Sequence, residues 1–505
     1  MTNVHDGTSS HATEPTPSLS SQARLGVAWG GASTVLVSAI GLTTNLVLAR
    51  IIAPSHFGLL GMATVFTGLV RILSEVGVAS ALIRRAEGIM DDDLLQTAFW
   101  TSAGVSISLF LVTSFALAPL IADFYDTPML QAVVIVVSIP LLIRPAGVIH
   151  RVQLTRALRF KSLSVIDAVS TAVGSGMTIA LAIAGMGVWS IALSGTLIAV
   201  TSLPLLTREI SWSPRLRFST PAFREVFSFG SFVTGSEVAV FITKNVDYLL
   251  IGRLLGAQAL GVYTLAFLLT DTFRSAIMGV MNKVMYPIYG KLQSDVATLG
   301  KYYLRVIRYN TLVIVPVMIV LLVLAPALLT NVFGQQWLPA AGAARLLAVS
   351  VILHTIGGTS AAVLKGIGRA DLEFRINLAT AAFVAVPSLL LGIHLWGITG
   401  AAGAAVVHTI ATRFLFQVYM RRLVHISEWM ILQSVGPALT SGLIAGFVGI
   451  ALARLTSEPG LLVTLAIVFA ILCVYFLACA LLLRDDLKLA LSHLRARRAR
   501  QNVVG

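Results

Sequence analysis

The stretch LVLARIIAPSHFGLLGMATVFTGLVRILSEVGVASALIRR, residues 46–85, decides the fold, because the chain writes it a second time. The later version, LLIGRLLGAQALGVYTLAFLLTDTFRSAIMGVMNK, begins at Leu249. At one offset (253 − 50 = 203) Arg50 falls on Arg253, Ile51 and Ile52 on Leu254 and Leu255, Gly58 on Gly261, and Arg71 on Arg274. Glycines and arginines that recur together beside or inside apolar runs mark two copies of one structural unit. An independent echo runs at a slightly longer offset (397 − 187 = 210). Gly187-Val188-Trp189 precedes Gly397-Ile398-Thr399, and LTRALRF at Leu154 precedes LKGIGRA at Leu364. The unit is therefore about 200 residues long, and the chain beyond Arg422 is an addition to it.

Composition sets the class. Of 505 residues, 57% are hydrophobic and 11% are charged, with a mean hydropathy of +0.88. Soluble domains carry about 25% charged residues, so the chain is predicted to be an all-α polytopic membrane protein. The net charge of +14 does not point to nucleic acid, since no soluble basic face with interleaved aromatics is present. It suits a membrane protein, because cytoplasmic loops collect Lys and Arg and the inner leaflet is anionic. Cys473 and Cys479 lie in the last apolar run and read as small core residues, with neither a disulfide nor a metal expected.

Residues 1–24, rich in Ser, Thr and Pro, read as a disordered cytoplasmic tail. From Leu25, apolar runs of about 20 residues succeed one another, each long enough to cross roughly 30 Å of hydrocarbon as a helix. The spans are predicted at 25–48, 57–83, 96–121, 129–149, 163–185 and 187–206 in the first unit. The second unit gives 227–251, 259–285, 309–332, 342–363, 374–395 and 398–420, and 431–454 and 460–483 complete fourteen. The domains are thus 25–210 (helices 1–6), a cytoplasmic linker 211–226, 227–422 (helices 7–12), 423–484 (helices 13 and 14) and a basic cytoplasmic tail 485–505. With both termini inside, roughly 27 of the 36 Lys and Arg fall on the cytoplasmic side, while Arg50, Arg253, Arg345 and Arg454 stay outside. The tail RDDLKLALSHLRARRARQ fits either a short helix on the inner leaflet or a solvated basic end. No linker exceeds about 25 residues, so there is no room for an extramembrane catalytic domain.

Several stretches now carry a resemblance: ARIIAPSHFGLLGMATVFTGLVRILSEVGVASALIRR, DDDLLQTAFW, IADFYDTPML, TRALRFKSLSVIDAVS, GMGVWSIA, NVDYLLIGRLLGAQALGVYTLAF and LKGIGRADLEF. The chain from about residue 25 to 430 resembles the polysaccharide transporters, Wzx-type flippases of the multidrug, oligosaccharidyl-lipid and polysaccharide exporter superfamily. The resemblance implies two pseudo-twofold-related six-helix lobes around a central cavity, with two C-terminal helices added. It implies a lipid-linked oligosaccharide as cargo, an undecaprenyl-pyrophosphate carrier turned from the cytoplasmic to the periplasmic leaflet for lipopolysaccharide, capsule or exopolysaccharide synthesis. It also implies a bacterial inner-membrane location among membrane lipids, with the polymerase and chain-length proteins of the pathway as partners.

A charge near the bilayer midplane costs at least about 2.5 to 3.5 kcal/mol, so each one present needs a partner or a wet cavity. Those at depth are Arg71, Glu75, Arg144, Asp167, Glu237, Lys244, Asp247, Asp271, Arg274 and Lys283. Arg71 with Glu75 is an i,i+4 pair, and Lys244 with Asp247 and Asp271 with Arg274 are i,i+3 pairs, so three pairs can neutralise themselves on one helix face. That structural role stands beside a functional one. The two units place Arg71 and Arg274 at one depth, and a planar guanidinium grips phosphate oxygens bidentately. Both are expected to line the substrate path, with Glu75, Lys244, Asp247, Asp271, Arg144 and Lys283 as further path charges. Arg50 and Arg253 end spans and read chiefly as helix caps, and Arg144 and Lys283 are also placed to snorkel.

No GxxxxGK[ST], HExxH, CxxC or GxSxG pattern occurs, so no ATP hydrolysis, no enzyme activity and no cofactor are expected. Transport is then downhill, or coupled to H+ or Na+ through Glu75, Asp247, Asp271 or Asp167, of which Glu75 and Asp247 are preferred. Two other readings share the superfamily, a multidrug cation antiporter and a lipid II flippase. A cation antiporter favours acidic cavity walls. A membrane-embedded polymerase fits less well, because the outward linkers are short.

Overall fold

The computed structural model describes residues 19–75, 82, 92–456 and 460–484. Residues 1–18 of the expected tail 1–24, the expected tail 485–505, and Arg84 and Arg85 lie outside the described residues, as do several side chains between 222 and 287, Lys244, Lys283 and Glu237 among them. Helices make up most of the described chain, and no strand occurs among the described residues. Twelve runs are long and apolar enough to cross a membrane, which makes this a multi-pass membrane protein. They are α1 (Leu19–Ile51), α2 (Pro54–Glu75), α3 (Asp92–Phe124), α4 (Met129–Arg156), α5 (Phe160–Ile183), α6 (Val188–Glu209), α7 (Thr220–Lys291), α8 (Val296–Phe333), α9 (Ala340–Gly366), α10 (Ala370–Val424), α11 (Glu428–Leu455) and α12 (Leu461–Leu482). Several boundaries move from their expected places, with α4 running to Arg156 instead of 149 and α8 starting at Val296 instead of 309. α1 starts at Leu19 instead of 25, since no Gly or Pro interrupts Leu19 to Arg24. α7 starts at Thr220 instead of 227, because Pro221 occupies a first-turn position where its missing N–H is harmless.

Twelve runs are counted where fourteen helices were expected, because two runs each contain a reversal. In α7 the backbone leaves helical geometry at Gly256 (φ 80°), and a Cβ built on Gly252 would lie 3.3 Å from Leu260 Cδ2. Residues eight apart on an unbroken helix stand about 12 Å apart, so the chain folds back here. In α10 the break falls at Trp396 and Gly397, and a Cβ on Gly392 would come within 2.4 Å of the Gly400 carbonyl oxygen. α1–α6 therefore form an N-lobe, and α7–α10, counting the two hairpins, a six-helix C-lobe that repeats it.

The repeat is visible in the backbone. Gly187 (φ 54°, ψ −123°) and Gly397 (φ 57°, ψ −131°) have nearly the same left-handed conformation and open corresponding helices. Leu158 and Gly368, also 210 apart, both take positive φ. The residues after them close matching bonds, Arg159 N to Leu154 O at 2.9 Å and Arg369 N to Leu364 O at 2.8 Å. The lobes also meet reciprocally. A Cβ on Gly58 would lie 1.7 Å from the Ala257 oxygen, and one on Gly261 would lie 1.7 Å from the oxygen of Pro54, the counterpart of Ala257 at the 203 offset. A contact in which each partner swaps roles is the signature of a twofold axis, and only glycine lets the backbones approach so closely.

Burial shows how the lobes are arranged about that axis. Around the Arg50 and Arg253 end one continuous core takes Leu48, Phe57, Met62, Leu130 and Val188 from the N-lobe and Leu260, Tyr263, Trp337, Ala341 and Ala401 from the C-lobe. At the opposite end each buried cluster among the described residues stays within one lobe and its neighbours. Leu94, Leu95, Ala98, Ile149 and Val152 pack within the N-lobe, and Tyr289, Leu299, Tyr303, Val363 and Met420 within the C-lobe with α11. Among the described residues the buried cluster at one end joins the two lobes and those at the other do not, although Gly68 of α2 still meets the Phe241 ring of α7 along the way.

The connection between the lobes, residues 210–219, is strapped onto α3. Gln96 reads its backbone in both directions, donating to Ser213 O at 3.2 Å and accepting from Arg215 N at 2.6 Å. Trp100 Nε1 donates to Arg215 O at 2.7 Å, and Ser219 N donates to Thr97 Oγ1 at 2.9 Å. Trp212 packs against Phe99 and His150 with ring centroids 5.6 and 5.8 Å away.

Candidate functional site

α2 is the N-lobe helix that lies on the twofold, and its sequence divides it by face. Met62, Ala63, Val65, Val70 and Ile72 are buried, while Thr64, Arg71 and Glu75 are exposed. The helix starts at the shared core and runs to Glu75, away from that core. There Glu75 Oε1 lies 3.8 Å from Arg71 Nη1 and 3.2 Å from Arg144 Nη1 of α4. One carboxylate oxygen thus serves two guanidiniums, and the group keeps a surplus positive charge. None of the three is buried, with side chains 53%, 48% and 39% exposed for Arg71, Glu75 and Arg144. Arg144 does not snorkel away from the charges, as its place beside Pro145 near a span end suggested; α4 turns it onto Glu75. Its buried Nη1 makes an ion pair there. Two turns further along α4, Arg151 Nη2 donates to Asp167 Oδ1 of α5 at 2.7 Å. Sequence reasoning placed Arg151 in a cytoplasmic linker. The seven-residue step from Arg144, two turns on one helix face, was the signal that could have found it.

The C-lobe counterpart differs. Arg274 Nε donates to Asp271 Oδ1 at 2.8 Å, its Nη2 closes onto the same oxygen, and both side chains are about three-quarters buried. This is the self-paired arrangement predicted from the i,i+3 spacing. Asp247 takes its bonds from the Tyr248 backbone N–H at 2.9 Å and from Tyr263 Oη at 3.0 Å, across the hairpin. The partner expected for it, Lys244, and the path residue Lys283 lie outside the described side chains. Arg71 and Arg274 occupy matching places on α2 and α7, each thirteen residues, or about 20 Å of helix, beyond the glycine at the lobe contact. Their partners are unequal.

At the joined end, Arg50 and Arg253 do more than cap helices. Arg253 forms an ion pair with Asp126 of the N-lobe and lies 5.5 Å from the Phe124 ring. Arg50 Nη1 comes within 3.3 Å of a Cβ built on Gly334 of the C-lobe. Each arginine therefore reaches the other lobe's turn. Trp337 Nε1, fully buried, donates to Ala49 O at 2.7 Å and meets Phe57 edge to face at 5.5 Å. Tyr125 is buried in the same place without a bond to its hydroxyl, and burial pushes its phenol above the ordinary tyrosine range.

Other features stand apart. A crevice of about 380 Å³ between α1 and α5, lined by Thr43, Thr44, Ser175 and Ile179 among others, carries no charge. Among the described residues no cluster of His, Cys, Asp or Glu could hold a metal ion. Of the small-residue pairs read from the sequence, Gly442 and Gly446 pack on Val315 and Ile319 of α8 and Gly400 on Gly392, whereas Gly30 touches nothing within 4 Å. Cys479 is a core residue as expected, but Cys473 is exposed, because six residues on a helix turn it to the far side.

Two six-helix lobes related by a twofold, joined at one end and extended by two more spans, form the architecture of a polytopic membrane transporter. Residues 47–342, more than half of the chain, match the family described as polysaccharide biosynthesis protein, and the chain belongs to that family. It is 26% identical over 382 residues to the lipopolysaccharide biosynthesis protein WzxC of Escherichia coli (strain K12), covering 74% of this chain and 76% of that protein. It is 28% identical over 361 residues to the teichuronic acid biosynthesis protein TuaB of Bacillus subtilis (strain 168), covering 71% and 74%. Its fold is similar to that solved for the lipid II flippase MurJ in an inward closed conformation, with a TM-score of 0.70 and 14% identity over 91% of this chain and 99% of that one.

Proposed function

We propose that this protein is a flippase for an undecaprenyl-pyrophosphate-linked oligosaccharide, turning it from the cytoplasmic to the periplasmic leaflet of a bacterial inner membrane by alternating access. The observation that carries the reading is the Arg71, Glu75 and Arg144 group. It is exposed, keeps a surplus positive charge, and stands on the helix that meets α7 at the twofold, thirteen residues beyond the glycine contact. Two guanidiniums around one small volume match a diphosphate, because each can give a fork of two parallel N–H bonds to phosphate oxygens. Membership of the polysaccharide biosynthesis family supports a glycan on that diphosphate. The Lys and Arg asymmetry supports termini on the cytoplasmic side, so the joined end faces the periplasm. The reaction is transport, and the pathway's polymerase and chain-length proteins take the product outside. If an ion gradient drives it, Glu75 must leave two arginines, or Asp247 must give up Tyr263, to carry the ion.

The test is a deletion strain in which the lipid-linked glycan is assayed on each leaflet of the inner membrane. Accumulation on the cytoplasmic leaflet, cleared by the wild-type gene and not by an Arg71→Ala, Arg144→Ala variant that inserts normally, is the expected result. Normal surface polymer from that variant would remove both residues from the path.

A further inference from the structure

Glu75 is an unusual partner for two arginines, and its geometry differs from every other ion pair near it. Asp167 holds Arg151 one to one at 2.7 Å, and Asp271 holds Arg274 through two donors. Both are short, hydrogen-bonded pairs. Glu75 instead presents one oxygen to Arg71 and Arg144 at 3.8 and 3.2 Å, the first too long for a hydrogen bond and the second at the long end of the range for one. Each guanidinium carries five donors, so nearly all of this donor capacity is uncommitted. Arg71 and Arg151 both lie close enough to act electrostatically on Arg144, and bases crowded together require an anion between them.

We propose that Glu75 is a built-in stand-in for the cargo's phosphate: it holds the anion position between Arg71 and Arg144 and is displaced when a diphosphate takes that position. The inference rests on the proposed function, since it presumes that the site meets a diphosphate. Exposed ion pairs with long contacts hold weakly, so the carboxylate yields readily to a doubly charged ligand that offers bidentate bonds. Glu75 is tethered one helical turn from Arg71, so its effective concentration stays high while the ligand is bound. It therefore competes for the arginines throughout and speeds the ligand's departure. A transporter gains from this, because a headgroup gripped by two unopposed guanidiniums would be slow to leave.

The experiment uses the full chain in lipid nanodiscs, titrated calorimetrically with inorganic pyrophosphate. Glu75→Gln, which keeps the shape and removes the charge, is expected to bind pyrophosphate about fivefold more tightly than wild type, the equivalent of one exposed ion pair. Glu75→Asp should stay near wild type, and Arg144→Gln should bind at least about tenfold more weakly. In cells Glu75→Gln should make less surface polymer at equal protein level. If Arg144→Gln loses binding but Glu75→Gln binds no more tightly than wild type, the stand-in role is wrong while the phosphate site survives. If pyrophosphate binding is insensitive to all three changes, the phosphate site itself falls.

Discussion

In the N-lobe, Arg71 shares a single carboxylate with Arg144, and the group stays exposed with charge to spare. In the C-lobe the residue that repeats it, Arg274, is closed onto Asp271 of its own helix and is mostly buried. One duplicated scaffold therefore carries two electrostatic designs. Duplication preserves what the backbone requires, namely the reversals at Gly187 and Gly397 and the touching glycines Gly58 and Gly261. It leaves the side chains around the twofold free to diverge, so the N-lobe carries a group with surplus positive charge where the C-lobe carries a neutralised pair.

That contrast can be broken experimentally. The largest effect is expected from removing the N-lobe pair as a unit. Arg71→Ala with Glu75→Ala removes one charge of each sign, yet should cut surface polymer in a complementation assay by more than about tenfold, because a transport contact and not a fold contact is lost. The glycine contact comes next. Gly58→Ala and Gly261→Ala should each destabilise the joined end by about 1 to 3 kcal/mol, read as a lower thermal midpoint, since each methyl meets a carbonyl oxygen. Equal losses would sharpen the case for a true twofold, and a harmless Gly261→Ala would break it. Asp271→Ala with Arg274→Ala should keep polymer within about threefold of wild type, since a self-neutral pair is deleted whole. Loss as deep as in the N-lobe double variant would restore the equivalence of the two arginines. The smallest effect belongs to Arg253→Gln. Its pair with Asp126 is well exposed, so the change should cost no more than about 1 kcal/mol in thermal unfolding.

Much of this was legible in the sequence. Spans follow from hydropathy, and the repeat from glycines and arginines at fixed offsets, because both are local demands of lipid and backbone. The offset of 210 that tied LTRALRF to LKGIGRA fell on two chain reversals with matching bonds. The Asp271 and Arg274 pair was also legible, since three residues set its geometry. The hidden contacts depend on distant parts of the chain meeting. Glu75 with Arg144, Asp126 with Arg253, Tyr263 with Asp247, and Gln96 with the strap are each set by helix packing that no spacing rule encodes. The helix count was blurred for a related reason: the hairpins at Gly256 and Gly397 turn so tightly that helix continues almost to the bend on both sides.

The strap on α3 bears on how such a molecule can move. Because Gln96, Thr97 and Trp100 clamp residues 213–219 through main-chain atoms, the tether between the halves has almost no slack. A gene split for two-piece expression would have to cut beyond Ser219, leaving the whole strap on the first fragment.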